Sequence, residues 1–210
     1  MTSDHAAFGD LLKAIASDDD ASVYRLLAAL PALAQGRVEV GATRLDAKPH
    51  HLDAIGHYVY AGDTALHVCA AAHRPEVARR LLSLGADVRA RNRRGAEPLH
   101  YAADGLPGSP RWDAGAQAAT VAVLLEAGAD PNAVDRSGVT PLHRAVRTRC
   151  AAAVSALLAG GADARRANGN GSTPMLLATR QSGRGGAGSP DAKAQQAEIV
   201  RLLERHGAAS

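Results

Sequence analysis

A pattern that returns every 33 residues constrains the fold of this chain more than any other feature of its sequence. The most complete copy is the stretch Ser137–Asp163, which reads SGVTPLHRAVRTRCAAAVSALLAGGAD. Within it, Leu142 corresponds to Leu66, Leu99 and Met175, and the four positions are 33, 43 and 33 residues apart. Repetition on this scale predicts a row of similar units, because each unit can bury its apolar face only against its neighbours.

The most complete copy carries the signals of two short helices. Thr140 suits the N-cap, because its hydroxyl can accept a hydrogen bond from a free helix N–H, and Pro141 suits the first helical position. Gly161 is placed to end the second helix in a left-handed conformation. Apolar residues fall at helical spacing in both segments, at Leu142, Ala145 and Val146 and at Val154, Leu157 and Leu158.

Two of the copies are longer than the period. The glycines that close the units are 43, 33 and 46 residues apart, at Gly85, Gly128, Gly161 and Gly207. About ten extra residues therefore lie in the second unit and about thirteen in the fourth, in each case between the two helices. Both insertions contain a Ser-Pro pair, and Ser109–Pro110 and Ser189–Pro190 are predicted to begin the helices that follow.

The Thr140-Pro-Leu-His143 motif at a period of 33 residues resembles the ankyrin repeat. The resemblance covers most of residues 62–208 and is to a member with loop insertions. The member is of bacterial type, since arginine greatly outnumbers lysine, as is typical of a GC-rich genome. It implies an all-α solenoid of stacked helix-turn-helix units with β-turn or hairpin fingers. It also implies a function in binding other proteins.

On this register the chain begins with a degenerate N-terminal capping repeat at residues 1–35, followed by an extended finger or loop insertion at residues 36–61. Four ankyrin repeats follow, at residues 62–94, 95–137, 138–170 and 171–210. In the capping repeat, Asp20 or Ser22 is expected to cap the second helix. In residues 36–61, the alternating segments Arg37–Val40 and His57–Tyr60 predict two short strands that extend the first finger. The residues between them read as a loop or a short helix, and a disordered linker is the competing interpretation.

The recurring Thr and His residues are expected to be structural. The resemblance implies that His67, His100 and His143 bridge backbone groups of adjacent repeats. The threonines that precede them in the motif are candidate helix caps, at Thr64, Thr140 and Thr173. Glu97 replaces the threonine of the second repeat, so its cap must form differently, and Leu176 replaces the histidine of the last repeat, which has no following neighbour.

Binding residues are expected on a concave face, which the resemblance places along the fingers and the exposed ends of the first helices. Arginine predominates there, and its guanidinium can bind carboxylate or phosphate groups bidentately. The residues assigned to this face are Tyr58, Tyr60, Asp63, Arg91, Arg93, Arg94, Asp104, Arg136, Ser137, Arg147, Thr148, Asn170, Arg180 and Gln181. Trp112, the only tryptophan, joins them as a partner contact or instead covers the helix ends. The arginines could also be solvated or paired with acids of neighbouring repeats.

Other kinds of function have weaker signals. The basic face could bind nucleic acid, although aromatic residues for base stacking make up only 3% of the chain. The segment His50–His57 could hold a metal ion and support a metal-dependent enzyme, although adjacent histidines diverge on a helix or a strand. Gly183–Gly188 matches a dinucleotide-binding pattern without the strand and helix that it requires. We therefore expect a non-enzymatic protein without a cofactor or a metal.

Composition adds few constraints. The formal charge of +3 is mildly basic and does not by itself indicate nucleic acid. Two cysteines do not make a disulfide scaffold, and the N-terminal residues lack the basic and apolar regions of a signal peptide. These features predict a cytoplasmic protein that does not bind a membrane. The arginine-rich face predicts that its partner is an unknown protein with an acidic segment.

Overall fold

Helices make up most of the computed structural model, which describes residues 2–107, 109, 111–180 and 190–208. Over these residues the helices are α1 Thr2–Ala16, α2 Asp20–Ala29, α3 Ala65–Ala71, α4 Pro75–Ser83, α5 Pro98–Ala103, α6 Ala114–Glu126, α7 Pro141–Arg147, α8 Ala151–Ala159, α9 Pro174–Thr179 and α10 Pro190–Arg205. Two short 3₁₀ helices lie at Pro31–Gln35 and Lys48–His50. The strands β1 His51–Leu52 and β2 His57–Tyr58 pair antiparallel. The predicted all-α solenoid is confirmed.

The helices form two rows. The first helices of successive units pack in the order α1, α3, α5, α7 and α9, and the second helices in the order α4, α6, α8 and α10. Leu66, Leu99 and Leu142 lie between neighbouring units and are almost completely buried, and Met175 is 4% exposed at the end of the row. The repeat of the sequence is thus a repeat of burial, which is how a linear array shares one core among its units.

In the third repeat, local sequence signals start α7 and stop α8 as the pattern predicts. The hydroxyl of Thr140 accepts a hydrogen bond from the N–H of His143 at the start of α7. Gly161 has a φ of +90°, a left-handed conformation that an L side chain rarely adopts, and its N–H donates to the carbonyl of Leu158. The prediction for this glycine is confirmed.

Two predicted helix starts are wrong. The side chain of Asp19 caps α2, rather than Asp20 or Ser22, and accepts a hydrogen bond from the N–H of Ser22. Helix α6 begins at Ala114, not at Ser109–Pro110, because the carboxylate of Asp113 accepts from two free N–H groups, at 2.7 and 3.0 Å. Helix α10 does begin at Pro190. The preceding Ser189 and the Gly183–Gly188 segment lie outside the described residues.

Residues 36–61 are structured along the first finger. The strand predicted at His57–Tyr60 is present at His57–Tyr58 and pairs with β1, whereas the strand predicted at Arg37–Val40 is wrong. Arg37 forms a single bridge with Thr64, and Val38 exchanges backbone hydrogen bonds with Gly62 and Asp63. The segment therefore does extend the finger, in a shorter pairing than the alternation predicts.

Candidate functional site

The motif histidines hold adjacent units together. Nε2 of His67 is 3.1 Å from the carbonyl oxygen of Ala96, and Nε2 of His143 is 3.0 Å from that of Ser172. His100 makes the same contact with Val139, at 3.1 Å. On the other side of each ring, Nδ1 accepts a hydrogen bond from the backbone N–H of the helix N-cap residue, at Thr64, Glu97 and Thr140. This arrangement requires a neutral ring with its proton on Nε2.

Burial keeps these rings neutral. Desolvation lowers the pKa of His67 to about 3 and that of His100 to about 4, and it also lowers the pKa of His143. The last repeat departs from the pattern, since Leu176 stands at the histidine position and is 42% exposed, and Thr173 caps α9 by accepting from its N–H. The three histidines are therefore used for packing and have no free nitrogen for other chemistry.

An Asx turn shapes the tips of the second, third and fourth fingers. The side-chain oxygen of Asn92 accepts from the N–H groups of Arg94 and Ala96, at 2.8 and 3.1 Å. Asp135 and Asn168 make the same pair of bonds two and four residues further along. The turn closes at a glycine of positive φ, with 73° at Gly95. This geometry aims the two residues between Asx and Gly away from the stack.

Backbone hydrogen bonds join successive finger tips. The N–H of Arg93 donates to the carbonyl of Ala61 at 2.8 Å, and the N–H of Arg136 donates to that of Arg94 at 3.0 Å. Gly169 continues the row by donating to Ser137. The residues at the tips of the second and third fingers are therefore held side by side.

A pocket of about 310 Å³ lies between these two tips and is lined by Arg93, Arg94, Asp135, Arg136 and Ser137; we call it the finger pocket. A guanidinium nitrogen of Arg93 donates to the carbonyl of Ala42, and one of Arg94 donates to the hydroxyl of Tyr60 at 3.1 Å. Both guanidiniums also lie near the Tyr60 ring, with the Cζ atoms 5.4 and 5.1 Å from its centroid.

The positive charge of the finger pocket is not balanced. In the described parts of the chain, neither Arg93 nor Arg94 pairs with a carboxylate, and the Arg136 side chain makes no hydrogen bond or ion pair. The one carboxylate, Asp135, is already used. It accepts from the N–H groups of Ser137 and Val139 and from Arg144, and against the effect of burial these bonds hold the pKa of Asp135 below its ordinary value.

Arg144 and Arg147 form a second group of arginines, and both pair with carboxylates. Arg144 is 8% exposed and bonds Asp104 at 2.9 Å and Asp135 at 3.1 Å, with its Cζ 5.6 Å from the ring of Tyr101. Arg147, a predicted binding residue, pairs with Asp104 at 3.5 Å. This arginine group therefore links the second repeat to the third.

The remaining predicted residues have separate surroundings. Arg91 bonds Glu97 at 3.0 Å and the carbonyl of Val134 at 3.3 Å. The ring of Tyr58 lies 4.6 Å from that of His51. The indole N–H of Trp112 donates to Gln117, which in turn bonds the end of α5, so the ring packs onto the core. Arg180 is exposed just after α9.

Two residues expected on the binding face are wrong. Asp63 is 1% exposed, because it accepts from the N–H of Tyr60 and the side chain of Asn92, and burial raises its pKa to about 6. Thr148 is 8% exposed, and its hydroxyl donates to the carbonyl of Arg144. Gln181 lies outside the described residues.

Sequence reasoning missed Asn92 and Asp135, which position the finger arginines. A signal for them exists, because Asn or Asp stands three residues before the turn glycine of the last three fingers, in Asn92–Gly95, Asp135–Gly138 and Asn168–Gly171. Residues of this type favour turns by bonding their own backbone.

The histidines of residues 50–57 do not converge. His51 bonds Asp53 at 2.6 Å, while the half-buried His57 packs against Tyr101 in a T-shaped arrangement, with ring centroids 4.6 Å apart. Across the described residues, no group of three or more His, Cys, Asp or Glu side chains is placed to hold a metal ion.

Comparisons with known proteins agree with the repeat geometry. The family model described as an ankyrin repeat matches residues 61–93 and 94–136, and the model described as ankyrin repeats in many copies matches residues 124–178. No curated protein matches the chain. Among the described helices, none has the length and apolar character needed to cross a membrane.

Proposed function

Because this chain belongs to the ankyrin-repeat family, whose repeats are generally protein–protein interaction modules and typically non-enzymatic, we propose that it is an adaptor or regulator that binds an acidic segment of a partner protein on its arginine-rich concave face. The finger pocket is the centre of that face. The binding energy comes from guanidinium–carboxylate contacts at Arg93, Arg94 and Arg136.

The observation that carries this proposal is the unbalanced charge of the finger pocket. Like charges held close together repel each other, and an opposite charge relieves that repulsion. Here Arg93 and Arg94 share one tyrosine ring and face Arg136, while the nearby carboxylate of Asp135 is used by Arg144. An acidic partner segment supplies the missing negative charge and arrives faster because of it.

Other predicted residues extend the same face. Arg91 borders the third finger, and Tyr58 offers an exposed aromatic ring beside the first. Arginine and tyrosine are both frequent among the residues that dominate interface energies. Trp112 and Arg180 would contact a partner long enough to reach the loop insertions.

A pull-down from the native host tests the proposal with two matched proteins. One carries Arg94→Glu with Arg136→Glu, and the control carries Arg79→Glu with Arg201→Glu, which reverse two exposed charges on α4 and α10. Both double variants change the net charge equally. We expect the first to lose the partners that the native chain and the control retain. Equal recovery by both variants would rule out the finger pocket as the centre of binding.

A further inference from the structure

We propose that the finger pocket selects a phosphate monoester, carried on a Ser, Thr or Tyr side chain of the partner, over the carboxylates of an acidic segment. This inference rests on the proposed function and names the group that the same site prefers. It follows from which hydrogen-bond donors of the finger pocket remain free, from how much charge they carry, and from the size of the cavity.

The backbone of the finger pocket has no donor left for a ligand. The N–H of Arg93 is bonded to Ala61 and that of Arg94 to Asn92. The N–H of Arg136 is bonded to Arg94, and that of Ser137 to Asp135. Recognition at this site therefore depends on side chains.

The free side-chain donors are mostly charged. Each guanidinium has five N–H donors, and Arg93 and Arg94 use one nitrogen each on Ala42 and Tyr60. Arg136 uses none within the described residues. Ser137 also lines the pocket, and its side chain carries a hydroxyl. The contacts with Ala42 and Tyr60 hold Arg93 and Arg94 in place before a ligand arrives and leave most of their donors available.

The charge of the site matches a dianion. Three arginines contribute three positive charges, and the negative charges of Asp135 and Asp104 are balanced by Arg144 and Arg147 together. A carboxylate carries one charge and two acceptor oxygens, whereas a phosphate monoester carries nearly two charges and three acceptor oxygens at neutral pH. A carboxylate can contact two guanidiniums, as Asp104 does, whereas a phosphate group offers an oxygen to each of three from a single position.

The size of the cavity also fits one phosphorylated side chain. The finger pocket, of about 310 Å³ and open to solvent, has room for a phosphate group and the end of its side chain. Proteins that bind a nucleic-acid strand use instead a groove that follows several phosphates.

NMR titration with three blocked glycine-rich peptides tests the inference, because it measures weak binding and reports whether the chain stays folded. The peptides differ only at one central residue, which is phosphoserine, glutamate or serine. Near pH 7.5 we expect phosphoserine to bind tighter than glutamate on the order of tenfold, since the second charge adds a further attraction. Serine should not bind detectably.

The ligand's own titration gives a second readout. The second pKa of a phosphate monoester is about 6, so lowering the pH to about 5.5 should weaken phosphoserine binding by roughly fourfold. Binding of the glutamate peptide should change little, because its carboxylate remains ionised.

Two variants link the preference to the pocket. Arg136→Gln removes a side chain that holds no other described group, so the fold should persist, and we expect the phosphoserine preference to disappear. Arg79→Gln, which removes an exposed charge from α4, should leave it intact. Arg94→Gln is the second pocket variant, and it should behave like Arg136→Gln.

Each contrary result has a distinct meaning. If glutamate binds as tightly as phosphoserine and both depend on Arg136, the phosphate inference falls and the proposed function stands. If phosphoserine binding ignores Arg136 and Arg94, the pocket is not its site and the inference falls. If a random DNA duplex competes better than the phosphopeptide for Arg136, both the inference and the proposed protein partner are overturned.

Discussion

Two groups of arginine residues lie close together in this chain and differ in what surrounds them. Arg144 is buried on α7, where Asp104 and Asp135 neutralise it. Arg93, Arg94 and Arg136 stand at the finger tips, exposed and without a carboxylate partner in the described residues. Richness in arginine therefore does not identify a binding face, and the state of pairing separates arginines that hold repeats together from arginines left for a partner.

Losing each group of arginines should have a different effect on the free energy of unfolding. A buried ion left without its partner is strongly destabilising, whereas removing an exposed and unpaired charge has little effect on folding. Losing Arg144 should therefore lower the free energy of unfolding much more than losing a finger arginine. Losing a finger arginine should instead have the larger effect on partner affinity.

The largest effect is expected at Arg144. Arg144→Met leaves the carboxylate of Asp135 without its cation and that of Asp104 with Arg147 alone, so the free energy of unfolding should fall by about 3–5 kcal/mol. Arg136→Met, a matched loss of charge, should change it by less than about 0.5 kcal/mol. Urea unfolding followed by circular dichroism measures both. Similar losses in the two variants would abolish the distinction between the groups.

A second prediction concerns the leucine that precedes Arg144 on α7. Leu142→Ala removes a side chain that is 1% exposed between two neighbouring units, and a loss of about 2–5 kcal/mol is expected. Met175→Ala, at the equivalent position of the last repeat, should lower the global unfolding midpoint less, because it frays one end of the array. If the two variants melt alike, a loss inside the array costs no more than a loss at its end, and this prediction is wrong.

Lowering the pH should reduce the free energy of unfolding through the buried histidines, while the finger arginines stay charged. The folded-state pKa values of His67 and His100, about 3 and 4, lie below the ordinary value of about 6.5 in the unfolded chain. Below about pH 6.5 the unfolded chain therefore takes up protons that these rings cannot accept when folded. Each ring removes about 1.4 kcal/mol of stability per pH unit until its folded pKa is reached.

Asp63 acts in the opposite direction over part of this range. Because the pKa of Asp63 is about 6, its carboxyl takes up a proton in the folded chain at a higher pH than in the unfolded chain. As the pH falls from about 6 to about 4, this proton stabilises the fold and offsets the loss of stability caused by roughly one histidine. We expect the urea midpoint to fall between about pH 7 and pH 5. His100→Asn should make this fall shallower, and a midpoint that is constant or rises on acidification would contradict the neutral histidine bridges.

The parts of the fold that the sequence predicts are those with local causes. Thr140 and Gly161 act within a few residues of themselves, through a hydroxyl on a free N–H and a backbone freed from a Cβ clash. Their effect needs no knowledge of distant residues. The same holds for the Asx turns, which a search for Asn or Asp three residues before each glycine would have found.

The parts that the sequence does not predict depend on distant partners. Arg144 and Asp104 are 40 residues apart, and nothing local indicates that α7 turns this arginine inward toward the insertion of the preceding repeat. In the same way, alternation at His57–Tyr60 indicates a strand but not that His51–Leu52 is its partner, since a strand's partner and register follow from packing. The arginine residues of the site were predictable, and their pairing was not.

The central claim is that the finger arginines serve binding and not folding. Its most direct test measures, in the same samples, the affinity of a blocked oligoglutamate peptide and the urea midpoint for the native chain and for Arg94→Gln with Arg136→Gln. We expect the affinity to fall by roughly tenfold or more while the free energy of unfolding stays within about 0.5 kcal/mol. An unchanged affinity, or a loss of stability as large as that of Arg144→Met, would contradict the claim.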